Sequence, residues 1–217
     1  MQKKCKIKNL YRSLRKKHGQ PKGQWSLWRK RPKTKLEKEE ILIGAILTQQ
    51  TNWNNVASAI KNLKSKNLCS LKNIYDNFVY VRNKHNCSLQ ELRDLIRPSG
   101  FYNQKTGYLL NIAKFIIERY GSLRKMEKAP LGELREELLR IKGIGKETAD
   151  SILLYALEKE IFVIDEYTKR FCKKNNLSQN FSYQCLQELF QADLPVDYKL
   201  YQDYHALIVI DGKIKND

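Results

Sequence analysis

The 217-residue chain carries 41 Lys and Arg against 23 Asp and Glu, a formal charge of +18, and 41% of it is hydrophobic. That length and composition exclude a largely disordered chain and allow one large domain or two small lobes around a substantial core. The charge points to a polyanion, because each Lys or Arg set near a phosphate releases condensed counterions.

An anionic membrane surface would be the competing partner. No apolar run approaches the ~20 residues needed to span a bilayer, and the basic N-terminus is not followed by the apolar stretch of a signal peptide. An intracellular protein is therefore expected, cytoplasmic and nucleoid-associated. Five cysteines, Cys5, Cys69, Cys87, Cys172 and Cys185, are scattered and contain no C-x-x-C pair. They read as free thiols in a reducing compartment. Since an iron–sulfur cluster needs four clustered cysteines, neither a cluster nor a structural zinc is expected.

Residues 1–38 hold fifteen Lys or Arg and one acid, Glu37, which accounts for +14 of the +18. Ile7, Leu10, Tyr11 and Leu14 recur at helical spacing, so Lys3 to Lys17 reads as a basic amphipathic helix, closed by Gly19 and Pro21. Its charges are either a solvated face or phosphate contacts. Gln24 to Pro32 reads as a loop in which Trp25 and Trp28 are core plugs or stacking platforms for a base. Glu37 to Leu63 is helical, with the apolar ILIGAILTQQ buried on most sides, and it breaks at Thr48-Gln49-Gln50-Thr51-Asn52. Asn52 can cap a helix carrying Trp53, Val56, Ala57 and Ile60, while Gln49 is either a solvated cap or a side chain that enters a duplex.

Leu68, Leu71, Ile74, Phe78 and Val81 suggest helices that the pattern does not place. Leu89 to Ile96 is a helix stopped by Arg97-Pro98-Ser99-Gly100. Further helices run from Tyr102 to Ile117 and from Leu131 to Ile141. No repeat or alternating strand pattern occurs, so the chain reads as all-α.

The stretch from Leu134 to Arg170 carries the chemistry. Two amphipathic segments are joined by Lys142-Gly143-Ile144-Gly145-Lys146. Its glycines permit backbone angles closed to other residues and keep side chains away from a ligand. The turn and the first turn of the helix opened by Lys146, Glu147 and Thr148 then offer backbone N–H groups to one phosphate. Ile144 should tuck inward between the helices. About twenty residues on, the apolar run Ile161 to Ile164 delivers Asp165 at the mouth of a helix spanning Glu166 to Lys174. Asp165 is an N-cap on the bland reading. Beside an apolar wall it can also stabilise an oxocarbenium ion or activate water.

Taken together, GAILTQQTNW, RPSGFYNQK, IKGIGKETAD, VIDEYTKR and YHALIVIDGK resemble the endonuclease III-like branch of the helix-hairpin-helix DNA glycosylases. Within that branch the chain is most similar to the small bacterial 3-methyladenine DNA glycosylases. The resemblance implies a bilobed all-α fold: a six-helix bundle over residues 40–158, containing the hairpin at about 134–157, and a lobe made of residues 1–39 and 159–217, with a cleft between them. It implies a monomer that binds double-stranded DNA containing damaged bases. By the same resemblance, Lys142, Gly143, Ile144, Gly145, Lys146 and Thr148 bind the DNA phosphate, Asp165 is the catalytic aspartate and Gln49 fills the gap left by the flipped nucleotide. Trp25, Trp28, Trp53 and Lys213 lie around the base pocket, where aromatic faces suit a cationic alkylated purine.

Two departures sharpen that expectation. Bifunctional members place their Schiff-base lysine directly before the Thr-Ala of the hairpin helix, where this chain has Glu147. Lys146 is one residue away, which on a helix turns a side chain by about 100°. A monofunctional enzyme is expected, hydrolysing the glycosidic bond of 3-methyladenine-type purines. The alternatives are a bifunctional glycosylase/AP lyase on oxidised pyrimidines using Lys146, and a non-catalytic DNA-binding module. Secondly, the family's cluster-binding cysteines would follow the YHALIVIDGK segment, but the sequence ends at Asp217. Either this branch lacks the cluster or the native chain continues beyond Asp217; a cluster-free branch is the expectation.

Overall fold

The computed structural model describes residues 4–80 and 88–214. Lys3, Val81 and Cys87, and the side chain of Cys5, lie outside the described residues. The described chain is all-helical and contains no strand. Its helices are α1 (Lys4–His18), α2 (Gln24–Trp28), α3 (Lys35–Leu47), α4 (Trp53–Ser65), α5 (Leu71–Phe78), α6 (Leu89–Ile96), α7 (Tyr102–Tyr120), α8 (Leu123–Met126), α9 (Leu131–Arg140), α10 (Lys146–Ser151), α11 (Glu166–Lys174), α12 (Tyr183–Asp193) and α13 (Tyr198–Lys213). Among the described residues no helix is long and apolar enough to cross a membrane. The segment expected as a loop from Gln24 to Pro32 instead opens with α2, because Trp25 and Trp28, three residues apart, can both turn one face inward.

The chain divides into two compact units, Pro32–Ile152 and Met1–Arg31 with Leu153–Asp217. Both boundaries fall earlier in the sequence than residues 39/40 and 158/159.

In the continuous unit, α3 is the central element: Ile41 to Leu47 are all buried, and it packs on α4, α7, α8 and α10. Its start is a capping box between Thr34 and Glu37. Glu39 is also buried, and its carboxylate accepts a 3.0 Å hydrogen bond from Leu71 N. That carboxylate thus serves as the cap of α5, whose own N-cap Ser70 makes no side-chain cap bond. At the other end of α3, the buried Lys105 donates to Leu47 O at 2.8 Å and Ser99 O at 2.7 Å, and burial pushes its pKa down to about 8. This lysine ties the end of α3 to the turn that opens α7.

In the discontinuous unit, α1 packs on α12 and α13 through a buried stripe that includes Ile7 and Leu14, and Tyr204 donates to Ile7 O at 3.0 Å. Part of the N-terminal charge is used internally. Lys17 and His18 both meet Asp211, at 2.7 and 2.8 Å, and Lys6 donates to Asn175 O at 2.5 Å. The run Ile161 to Ile164 lies outside any helix and is buried, as its apolar character demands.

Candidate active site

The hairpin belongs to the continuous unit. Its two glycines do different work. Gly143 has φ +98°, and a Cβ there would sit 2.0 Å from Tyr108 Cδ1, so neither the backbone nor the space admits another residue. Gly145 has an ordinary extended backbone, with φ −88° and ψ 177°, and nothing lies within 4 Å of where its Cβ would be. Of the two uses that the sequence offers for glycine here, the closed backbone angle is taken by Gly143 alone, and Gly145 leaves open space in front of the turn. Ile144 is buried at 4% exposure, while Lys142, Gly145, Lys146 and Glu147 are exposed.

The turn is braced from behind. Asn111 donates to Lys142 O at 3.2 Å, and the Gln49 amide donates to Gly143 O at 2.9 Å and Thr148 Oγ1 at 3.0 Å. Gln49 is thus half-buried against the hairpin instead of projecting from the inter-helix break, and Asn52 caps α4 through Asn55 N. Trp53, the first residue of α4, is half-buried. The two hairpin helices are pinned by Arg135 and Asp150, whose bonds span 2.7 and 3.2 Å with the carboxylate fully buried. Asp150→Ala removes the buried carboxylate and with it both bonds to Arg135, whose side chain is 27% exposed. Asp150→Ala should lower the unfolding free energy by about 1–3 kcal/mol; a urea melt that moved by less than ~0.5 kcal/mol would contradict that role.

Sequence reading passed over Phe101. It is 56% exposed and holds a left-handed φ of +47°, a costly state for an aromatic residue. Lys105 bonds the turn just before it to the end of α3, so Phe101 and Gln49 stand on tethered segments. The signal in the sequence is slight: a large apolar residue directly after Pro-Ser-Gly.

Asp165 belongs to the discontinuous unit. It caps α11, accepting a 2.7 Å bond from Thr168 N on Oδ1, and is only 9% exposed. Oδ2 faces His205 Nε2 at 3.4 Å. Burial works to raise its pKa, but attraction to His205 and the backbone bond from Thr168 outweigh burial and hold the carboxyl below its ordinary value. It is ionised at neutral pH.

Around this carboxylate stands an aromatic cluster. Trp25 and Trp28 are each 5% exposed, meet edge to face at 5.8 Å, and pack on Tyr155 at 5.7 and 5.1 Å. Their indoles are thus packed inside the unit as core plugs. Tyr155 lies in a π-helical turn, Ile152–Ala156, that continues from α10; such turns are rare and concentrate at functional sites. Lys213, exposed at the end of α13, has its pKa lowered by burial of its surroundings and raised in part by Asp165. His205 and Tyr155 were not singled out from sequence; a lone His and a lone Tyr in apolar runs give no local signal.

Among the described residues, no group of three or more His, Cys, Asp or Glu is placed to hold a metal ion. Cys69, Cys172 and Cys185 are free, and burial raises the first and second to about 12, so neither is a thiolate at neutral pH.

An all-helical chain with a glycine hairpin and a buried, ionised carboxylate capping a helix has the parts of a helix-hairpin-helix DNA glycosylase. The chain belongs to the HhH-GPD superfamily of base excision DNA repair proteins, which it matches over residues 43–195. It is 47% identical over 173 residues to the "Putative DNA repair glycosylase" of Methanocaldococcus jannaschii, covering 78% of this chain and 74% of that one. It is 25% identical over 157 residues to the endonuclease III of Thermotoga maritima, covering 72% of this chain and 65% of that one. Among solved structures, the 3-methyladenine DNA glycosylase (MagIII) of H. pylori bound to 1,N6-ethenoadenine superposes with a TM-score of 0.73 at 31% identity, over 96% of this chain and 95% of that one. A trapped endonuclease III–DNA covalent intermediate superposes with a TM-score of 0.70 at 18% identity, which speaks to the fold.

Proposed function

We propose that this DNA glycosylase is monofunctional and hydrolyses the N-glycosidic bond of alkylated purines, 3-methyladenine in type, in double-stranded DNA. The observation that carries the reading is Asp165: a buried carboxylate held ionised beside an aromatic cluster can stabilise the sugar cation as the base departs and orient the attacking water. An already cationic base leaves neutral, so no general acid is required. The likeness to a 3-methyladenine glycosylase at 31% identity supports the alkylated-purine half of the proposal.

In this reading the turn from Lys142 to Lys146, with Thr148, holds one DNA phosphate in the open space before Gly145. Gln49 leaves its bonds to the hairpin to fill the gap of the flipped nucleotide, and Phe101, exposed on the tethered neighbouring turn, enters the duplex with it. Lys213 contacts the flipped base, with Trp25 and Trp28 forming the packed wall behind it. No iron–sulfur cluster takes part, and the protein acts as a monomer.

Glu147 supports the monofunctional half, because a carboxylate cannot form a Schiff base and it stands where the lyase lysine would. Mixing the protein with abasic duplex DNA and borohydride should therefore give no covalent adduct. Analysis of the bases released from dimethyl sulfate-treated duplex should show methylated purines, with strand breaks only after alkali. A strong borohydride adduct would instead favour a lyase acting through a lysine such as Lys146.

A further inference from the structure

We infer that His205 is the positioning residue of the catalytic carboxylate, held from behind by Tyr155 and presenting its Nε2 proton to Asp165. The inference rests on the reading of Asp165 as the catalytic group.

His205, on α13, is 5% exposed. Its two ring nitrogens have different neighbours: Nδ1 lies 2.8 Å from Tyr155 Oη, and Nε2 lies 3.4 Å from Asp165 Oδ2. Tyr155 is fully buried and its hydroxyl also donates to Gln202 O at 3.2 Å. Gln202 in turn donates through Nε2 to Leu154 O at 2.8 Å and accepts from Arg31 at 2.9 Å. The relay is thus anchored at both the π-turn and α13. Trp25 and Phe162 stand nearly perpendicular to the imidazole, at 86° and 88°, and flank it.

Despite this support, Nε2 closes no hydrogen bond, and neither does Thr168 Oγ1 at the start of the helix that Asp165 caps. Folded proteins rarely keep buried polar atoms unsatisfied, because each costs stability. A ring fixed at 3.4 Å from a carboxylate oxygen needs to close by only about half an ångström to form a charge-assisted bond. The proton bookkeeping agrees. When the tyrosine proton goes to Gln202 O, Tyr155 accepts from Nδ1–H, and the imidazolium donates from Nε2. When it goes to Nδ1, the neutral ring already carries its proton on Nε2. In both of these states a proton on Nε2 faces Asp165; the remaining one, a neutral ring with its proton on Nδ1, would set a bare Nε2 lone pair against the carboxylate oxygen 3.4 Å away and is disfavoured by that repulsion.

The charged and titratable groups around the pair are few. Asp165 faces the ring from the start of α11 and Tyr155 from the π-turn, while Lys213 on α13 feels Asp165. Asp203, Arg29 and Arg31 act on Tyr155 but pair with one another, with Arg29 Nε 2.5 Å from Asp203. Removing His205 therefore leaves burial as the main influence on Asp165, and burial raises a carboxyl.

The test uses the full chain in two arms. Titration of the Asp165 side-chain carboxyl by 13C NMR, without DNA, compares wild type with His205→Ala, His205→Gln and Tyr155→Phe. The Asp165 pKa should rise by about one unit or more in His205→Ala, less in His205→Gln, whose amide can still donate, and measurably in Tyr155→Phe. Single-turnover base release from dimethyl sulfate-treated duplex should slow by about tenfold or more in His205→Ala, with its acid limb moved to higher pH by the same amount and part of the rate restored in His205→Gln. Should His205→Ala fail to fold, the other two variants carry the comparison. An Asp165 pKa that stays put in all variants overturns the inference, as does a shifted pKa with an unmoved acid limb. If wild type releases no methylated base, the proposed function falls, and the NMR arm alone decides whether His205 governs the carboxylate.

Discussion

Asp165→Asn should slow single-turnover base release by about a hundredfold to a thousandfold, the usual loss when a group that stabilises transition-state charge is removed. The fold should survive, because the amide oxygen of Asn can keep the 2.7 Å cap bond from Thr168 N that Oδ1 now accepts. Binding to duplex DNA containing a non-cleavable abasic analogue should be retained within a fewfold factor. Unchanged base release from methylated DNA would remove Asp165 from the mechanism. The carboxyl sits below its ordinary value, so wild-type activity should persist into mildly acidic solution and fall only as pH drops through the folded-state pKa. The same sign holds for stability. A carboxyl with a depressed folded-state pKa contributes fully above its unfolded value, and that contribution is lost as acid protonates it in the fold.

The hairpin glycines make the second large prediction, and they separate folding from binding. Gly143→Ala must adopt a left-handed backbone at φ +98° and drive its Cβ into the Tyr108 ring. Strain and overpacking together should cost roughly 3 kcal/mol or more, visible in urea denaturation, with DNA affinity lost alongside. Gly145→Ala meets neither obstacle, so its stability should stay within about 0.5 kcal/mol of wild type. Yet its methyl would project into the open space before the turn. If a phosphate is bound there, duplex affinity should fall by about tenfold or more, as expected for losing a hydrogen bond to a charged group. Both variants must be measured at one salt concentration, since counterion release alone moves the affinity of so basic a protein. Wild-type affinity in Gly145→Ala would place the phosphate elsewhere.

The other variants probe single supports. Asp150→Ala tests whether a buried ion pair pins the hairpin helices, and borohydride trapping tests what Glu147 excludes.

Helical class, several of the helices and the hairpin were legible in the sequence because they depend on local signals. Apolar residues at helical spacing drew α3, α7 and α9, Asn52 marked a cap, and Gly-Ile-Gly between two amphipathic segments marked the turn. Asp165 was legible because an apolar run followed by a capping acid is itself a local pattern. The division of labour between the two glycines was not, since it depends on Tyr108, whose place behind Gly143 is set by packing. Trp25 and Trp28 illustrate the same limit. The sequence leaves them in a loop as core plugs or stacking platforms, and only the packing of their rings on Tyr155 and on each other buries them.

By itself the sequence determined an all-helical, strongly basic protein with a phosphate-type turn and one candidate carboxylate. The tertiary structure alone decided that this carboxylate is buried and ionised, and that His205, forty residues away in the chain, stands beside it. Periodicity and capping act over a few residues and leave a trace in the order of amino acids. Burial, desolvation and side-chain contacts between distant residues exist only once the chain has packed.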